Sequence, residues 1–464
     1  MTATSLLANI TSKDALQQLL ATFVQRRGFS TVFGLYLLWA VVKYRRSVYG
    51  MRPRPDLKGP SGYPLIGNLV EMSVLPMNQF LQYLHKNHLR YGPVFSFALP
   101  GFARIIHVND PESVDHVLRA NFWAYEKGPL AKKMVYPLAG EGIFGADGEH
   151  WKWQRKLASH IFNVKAFRQY TTDVFTQEAK TVIDYLSTLA DTGKPVDLLA
   201  VFYHYTMDSF GEIAFGESLG GLKNPEQKSE FAVAFDRLNH NLSNRILTPT
   251  RRLMDRLRGV DAQVAADSKC AGRDTTAQAL SWTFYLLHRS QSNPDVIKRL
   301  REEGDTILHG GSPTYEDTKK QKYAEACFYE ALRMYPVVPK ATRGCVQDDV
   351  LPNGIKVYKG ERVGWSSWVM GRTKEIWGPD AEEFKPDRWI NEERPSSSKF
   401  IAFHHGPRIC LGQQFATIEA ITLMSMLLQE FTFELVDPHS EPVYLPSLTL
   451  PMEHGLKARV KRRV

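Results

Sequence analysis

A chain of 464 residues, 43% hydrophobic and 11% aromatic, has enough apolar content for a substantial core and is not an intrinsically disordered protein. Its formal charge of +9 is spread without a long basic block, which points to an anionic membrane or an acidic protein partner and away from nucleic acid. Cys270, Cys327, Cys345 and Cys410 form no C-x-x-C pair and no zinc spacing, which fits a reducing compartment.

The first 50 residues read as an N-terminal membrane anchor. Leu16, Leu19, Leu20 and Phe23 recur at helical spacing, and residues 28–42 form an apolar stretch closed by Lys43, Arg45 and Arg46. This stretch is shorter than the ~20 residues of a perpendicular span, so an interfacial helix or a signal-peptide core stands beside a spanning one. No small-residue cleavage site follows, and the basic flank would keep the remainder cytosolic, with Asn9-Ile10-Thr11 as a lumenal glycosylation sequon. Residues 51–64, rich in proline and glycine, read as a stiff hinge or a surface loop, and residues 65–464 as the main domain.

Helical periodicity then covers residues 77–89, strands are expected over 94–99 and 103–108, and Asp110-Pro111 opens the next helix. Trp151 and Arg155 lie four apart, so one helical face presents both. Residues 162–247 read as several helices, with Phe202, Met207, Phe210, Ile213 and Phe215 among the apolar positions. An Ala271-Gly272-Arg273-Asp274-Thr275-Thr276 stretch sets an acid beside an alcohol at the start of an apolar helix over 277–287. Glu330 and Arg333 share a helical face ended by Pro336, Arg343 follows Pro339, and Arg388 lies in Phe384-Lys385-Pro386-Asp387-Arg388-Trp389.

The most informative stretch is Phe403-His404-His405-Gly406-Pro407-Arg408-Ile409-Cys410-Leu411-Gly412. Gly406 and Pro407 make a turn, Gly412 lets the backbone approach a flat ligand, and an apolar run over 413–430 predicts a helix beginning just after Cys410. A thiol at a helix N-terminus is drawn towards the thiolate that binds iron. Arg408 offers fixed donors to a carboxylate.

This decamer matches Phe-x-x-Gly-x-Arg-x-Cys-x-Gly, and the chain resembles the cytochrome P-450 superfamily of haem-thiolate monooxygenases. The resemblance implies a mainly α fold with a smaller β region and haem b ligated axially by Cys410. It assigns Phe403 to shielding the sulfur, and Gly406, Arg408 and Gly412 to the haem-binding loop. Trp151, Arg155 and Arg343 would reach haem propionates. Ala271 and Gly272 would form a loosened helical turn over the iron, with Asp274 and Thr275 as catalytic residues delivering protons to bound O2. Glu330, Arg333 and Arg388 would form a buried structural cluster. Electrons would come from NADPH through a cytochrome reductase, with cytochrome b5 as a second partner, at the endoplasmic reticulum membrane with the catalytic domain cytosolic. The segment 142–159 is similar to fungal and plant fatty-acid and alkane terminal hydroxylases, which implies a lipophilic substrate and oxygen insertion into a C–H bond.

One stretch departs from this pattern. A central helix of about 30 residues, roughly 45 Å long, would carry a long apolar half before Ala271. Instead residues 260–270 are too polar for a helix buried on all sides. The Lys269-Cys270 join therefore reads as a deletion on the order of fifty to seventy residues. Two alternatives to the monooxygenase follow: a non-catalytic or misfolded remnant, and a haem-thiolate isomerase or dehydratase that needs no reductase.

Overall fold

The computed structural model of the chain describes residues 30–45, 47–163, 165–223, 274–292, 294–390, 393–445 and 448–463. The sequon, the first half of the anchor, the Lys269-Cys270 join, Ala271 and Gly272 lie outside the described residues. So does the end of the helical region expected up to residue 247. The protein is mainly helical with a smaller β region, and divides into two compact units.

The first unit comprises residues 1–74 and 96–104. Its helix over 30–43 leaves Val32, Phe33, Leu35, Leu38 and Val42 exposed, and Lys43 Nζ lies 4.4 Å above the Trp39 ring. Among the described residues no helix is long and apolar enough to cross a membrane. The Pro-rich segment is stitched in place: buried Arg54 pairs with Asp56 at 2.7 Å, and the Ser96 N–H donates to the Lys58 carbonyl at 2.8 Å. Asn68 Oδ1 accepts from the Ala98 N–H at 3.0 Å, so residues 96–104 return onto the segment that the sequence reads as hinge and domain start.

The second unit comprises residues 75–95 and 105–464. Helix α1 (Phe80–Tyr91) and a short helix capped by Asp110, whose carboxylate accepts from the Ser113 N–H at 2.7 Å, lie close to where residue pattern and cap predict them. Strand β1 (Ile105–Val108) runs parallel to β5 (Arg362–Trp365), which pairs antiparallel with β4 (Ala341–Cys345), which in turn pairs with β2 (Tyr125–Glu126). A second sheet joins β3 (Val196–Asp197), β7 (Lys457–Arg462) and β6 (Phe431–Leu435).

The helical body packs α2 (Gly148–Asn163), α3 (Lys165–Leu189), α4 (Leu198–Phe215), α5 (Asp274–His288), α6 (Lys322–Met334) and α7 (Gln413–Glu430). Helix α7 has no polar stripe because neighbours cover it on every side, from Thr417 to Leu428. Helix α5 is similarly enclosed from Thr276 to Leu287, and Trp282 on it stacks on Tyr335 with ring centroids 4.0 Å apart. Fully burying such large side chains contributes about 1.5–3 kcal/mol each. The described part of α5 is 15 residues long, half the span expected for the central helix.

Candidate functional site

The loop over 403–412 is fixed by its own backbone. Cys410 N–H donates to the Phe403 carbonyl at 2.8 Å and Ile409 N–H to the Gly406 carbonyl at 2.9 Å. Gly406 has φ +66°, and a Cβ there would come 2.0 Å from the Leu118 carbonyl oxygen, so no other residue fits. Phe403 packs edge-on into a ring cluster with Phe400 and Tyr329.

Helix α7 begins at Gln413, so Cys410 precedes its N-cap, Gly412, by two residues. The side chain opens onto one face of the loop, yet enough protein surrounds the sulfur that burial raises the thiol above its ordinary pKa. The Gly412 N–H and the Arg155 charge pull the other way and are outweighed. In the absence of a metal the surroundings favour the thiol, and a cation at the sulfur would supply the remaining stabilisation of the thiolate.

Around this loop the fold gathers cations. Arg408 donates to Asp147 Oδ1 at 2.8 Å and to the Ala146 carbonyl at 3.1 Å, and its guanidinium lies 4.2 Å over the Trp151 ring. Arg155 sits one turn further along α2, near enough to Cys410 to influence it. Arg362 donates to the Lys127 carbonyl at 3.1 Å. Arg343, on β4, donates to the Thr342 carbonyl and to His404 Nε2, both at 2.9 Å. Burial, reinforced by neighbouring arginines, lowers Arg343 to about 9 and Lys127 to about 7. Burial also works against the charge of Asp147, but the Lys127 N–H, Arg408, Lys132 and the Gly128 N–H hold it below the usual carboxylate range.

Buried cations held at depressed pKa beside one buried carboxylate make a site that lacks negative charge. Among the described residues the Nε of Arg408 is buried without a hydrogen-bond partner. Cys410 opens on the same loop, and Gly412 adds no side chain beside it. These residues fit a flat, iron-bearing, doubly anionic group such as haem, with the sulfur for the metal and the cations for its carboxylates.

Glu330, Arg333 and Arg388, which the resemblance groups in one cluster, lie together. Arg333 makes a bidentate pair with Glu330, with both bonds at 2.8 Å, and also donates to the Gly371, Ala381 and Glu383 carbonyls. Arg388 Nε stands 3.5 Å from Glu330 Oε1. The resemblance implies that this cluster braces the haem-binding loop, but sequence reasoning gave no part in that to Trp389 or Phe400. Trp389 donates to Glu330 Oε2 at 2.9 Å and packs edge-on against Phe400 at 4.6 Å, and Phe400 in turn meets Phe403.

On the opposite side stands α5. Asp274 is its first residue, Thr275 is exposed, and Thr276 is buried and hydrogen-bonded to Glu419 of α7. Burial pushes the Glu419 carboxyl up to about 8. Gln278 accepts from the Leu450 N–H at 3.0 Å and donates to Thr449 Oγ1 at 3.1 Å, which ties residues 449–450 to α5. Lys127, Asp147, His404 and Glu419 were not singled out from sequence. Asp147-Gly148 carries a helix-start signal, whereas the other three are ordinary residues whose partners lie far away in the chain.

The family model described as "Cytochrome P450" matches in two blocks, residues 57–264 and 262–456. Cytochrome P450 monooxygenase cyp1 of Mycosarcoma maydis is 33% identical over an alignment covering 93% of this chain and 79% of that protein. Two proteins of Arabidopsis thaliana are also similar. Cytochrome P450 94B3 is 31% identical, covering 87% of this chain and 92% of its own, and cytochrome P450 86B1 is 29% identical, covering 90% and 88%. The first alignment runs over 514 residues, more than the 464 of this chain, so that relative carries residues that this chain lacks.

Proposed function

Because this chain belongs to the cytochrome P450 family of haem monooxygenases, which take electrons from a redox partner, we propose that it hydroxylates the terminal carbon of a long-chain fatty acid or alkane. The observation that carries the chemistry is the convergence of Cys410, Arg343, Arg408 and Lys127 on one charge-deficient loop. Bound there, haem supplies thiolate-ligated iron, whose electron density favours O–O cleavage.

The chain's own residues hold and serve that group. Cys410 would bind the haem iron. Arg343, Arg408 and Lys127, whose ammonium now donates to the Phe144 carbonyl, would receive the haem carboxylates, with Trp151 stacked beneath Arg408 and Arg155 near the sulfur. Asp274 and Thr275, at the start of α5, would supply the protons that the reaction consumes. The Glu330, Arg333 and Arg388 cluster keeps the loop in register through Trp389 and Phe400.

Electrons come from NADPH through a reductase, with cytochrome b5 as a second donor, at the endoplasmic reticulum membrane. The exposed apolar side chains of the helix over 30–43, followed by Lys43 and Arg45, support that location. The likeness of residues 142–159 to terminal hydroxylases supports the substrate class. Incubating the purified full chain with reductase, NADPH and saturated fatty acids should yield the terminal alcohol. Product at internal carbons only, or none that depends on NADPH, would contradict this assignment.

A second reading is favoured by the two-block family match, which breaks at 262–264, near the Lys269-Cys270 join. In this reading the chain is a shortened form that lacks the first half of the central helix and turns over poorly or not at all. A form carrying a family-length insertion at Lys269-Cys270 would then hydroxylate fatty acids where the present chain does not.

A further inference from the structure

Arg343 and Arg408 both border the Cys410 loop, but they are held in different ways. Arg408 is anchored by a carboxylate, Asp147, at 2.8 Å, which cancels part of its charge. Arg343 is anchored by a ring: its Nη2 donates to His404 Nε2 at 2.9 Å, and its guanidinium lies 5.5 Å from the Trp365 ring centre. His404 meets the same indole edge-on at 5.7 Å, so Trp365 packs against both partners. An arginine can only donate. Nε2 must therefore present its lone pair to Arg343, while Nδ1 lies between the His405 N–H at 2.8 Å and the His405 carbonyl at 2.9 Å. Burial and the neighbouring Arg343 hold His404 down at about 3, so the ring stays neutral. The bonds to Thr342 and His404 use two of the five N–H groups of Arg343, which leaves the rest for another acceptor.

We propose that His404 is a positioning residue: a neutral imidazole that fixes the Arg343 guanidinium at the rim of the Cys410 loop without cancelling its charge, so that the full cation faces an anionic group of the bound cofactor. The proposal rests on the haem reading above. It gives a specific task to a position that the ten-residue signature leaves free. It also couples the strand that carries Arg343 to the loop that carries the metal ligand, six residues before Cys410. Residues that orient groups around a metal centre from one layer out commonly change affinity by about 10- to 100-fold when replaced.

The test uses the haem-loaded full chain and three variants, His404→Leu, His404→Gln and His404→Glu. It reads the rate of haem transfer to excess apomyoglobin and the midpoint reduction potential. Gln keeps a neutral acceptor and should behave like the parent. Leu should release haem about tenfold faster. Glu keeps an acceptor but adds a negative charge, so it should retain haem and lower the potential, which a purely structural role for His404 would not do. Should Leu fail to fold, the Gln and Glu pair still decides the matter. A Glu variant with the parent's potential, or a folded Leu variant with the parent's release rate, would overturn the proposal. If parent and variants alike fail to bind haem through a thiolate, the cofactor reading falls and takes this proposal with it.

Discussion

Glu330 and Arg333 are buried completely, and each is the other's charge partner. Replacing Glu330 by Gln leaves a buried guanidinium without its counter-ion, at a cost of about 3–5 kcal/mol. Urea unfolding of Glu330→Gln should show a loss of that size, and a loss below about 1 kcal/mol, the range of a surface pair, would contradict the structure. Lys127 makes a different prediction. Its pKa of about 7 lies well below the ~10.4 of an exposed lysine. Docking an anion beside it raises that value, so at pH 8 a largely neutral amine gains a proton as haem binds, whereas at pH 6 it already carries one. Proton uptake measured with an indicator dye should therefore appear at pH 8, fade at pH 6 and vanish in Lys127→Met. Equal uptake at both pH values, or in the variant, would show that Lys127 does not face the cofactor. At this scale the sequence was legible where chemistry is written in one short stretch, as with Cys410 and its glycines. It was silent on Lys127, Asp147 and His404 because their roles depend on partners brought in from other elements.

Among the elements, α7 was read with its observed bounds, since an apolar-periodic run between Gly412 and the strand over 431–435 leaves little choice. The carboxyl of Glu419 within it could not be read, because burial by α4 and α5 sets its properties. Raised to about 8, it lies above the ~4.3 of a free glutamate. Between those values the folded state holds a proton that the unfolded state has released, so this group's contribution to stability falls as pH rises from about 4.3 to about 8. Glu419→Gln should lose that component of the pH dependence in denaturant titrations. An unchanged profile would mean that the carboxyl is ionised in the folded protein. The start of α5 was legible as an acid and alcohol opening an apolar helix, while the polar residues before it marked a departure from the family pattern.

For the whole molecule, one decamer was enough for the family, and the mainly α fold with a small β region came with that resemblance. The division into two units was not legible. It depends on residues 96–104 folding back onto Asn68 and Lys58, contacts formed between strand and loop positions that carry no pattern of their own. The Cys410 loop, its cations and the Glu330 cluster all lie outside the region before α5 that departs from the family pattern. The proposed function therefore requires that this chain, as it stands, bind haem through Cys410. The measurement that tests this most directly is the absorption spectrum of the purified, reduced protein under carbon monoxide. A strongly red-shifted Soret band that disappears in Cys410→Ser is the predicted result. A Soret band at the position given by a neutral thiol or histidine ligand, or a protein that retains no haem, would contradict it.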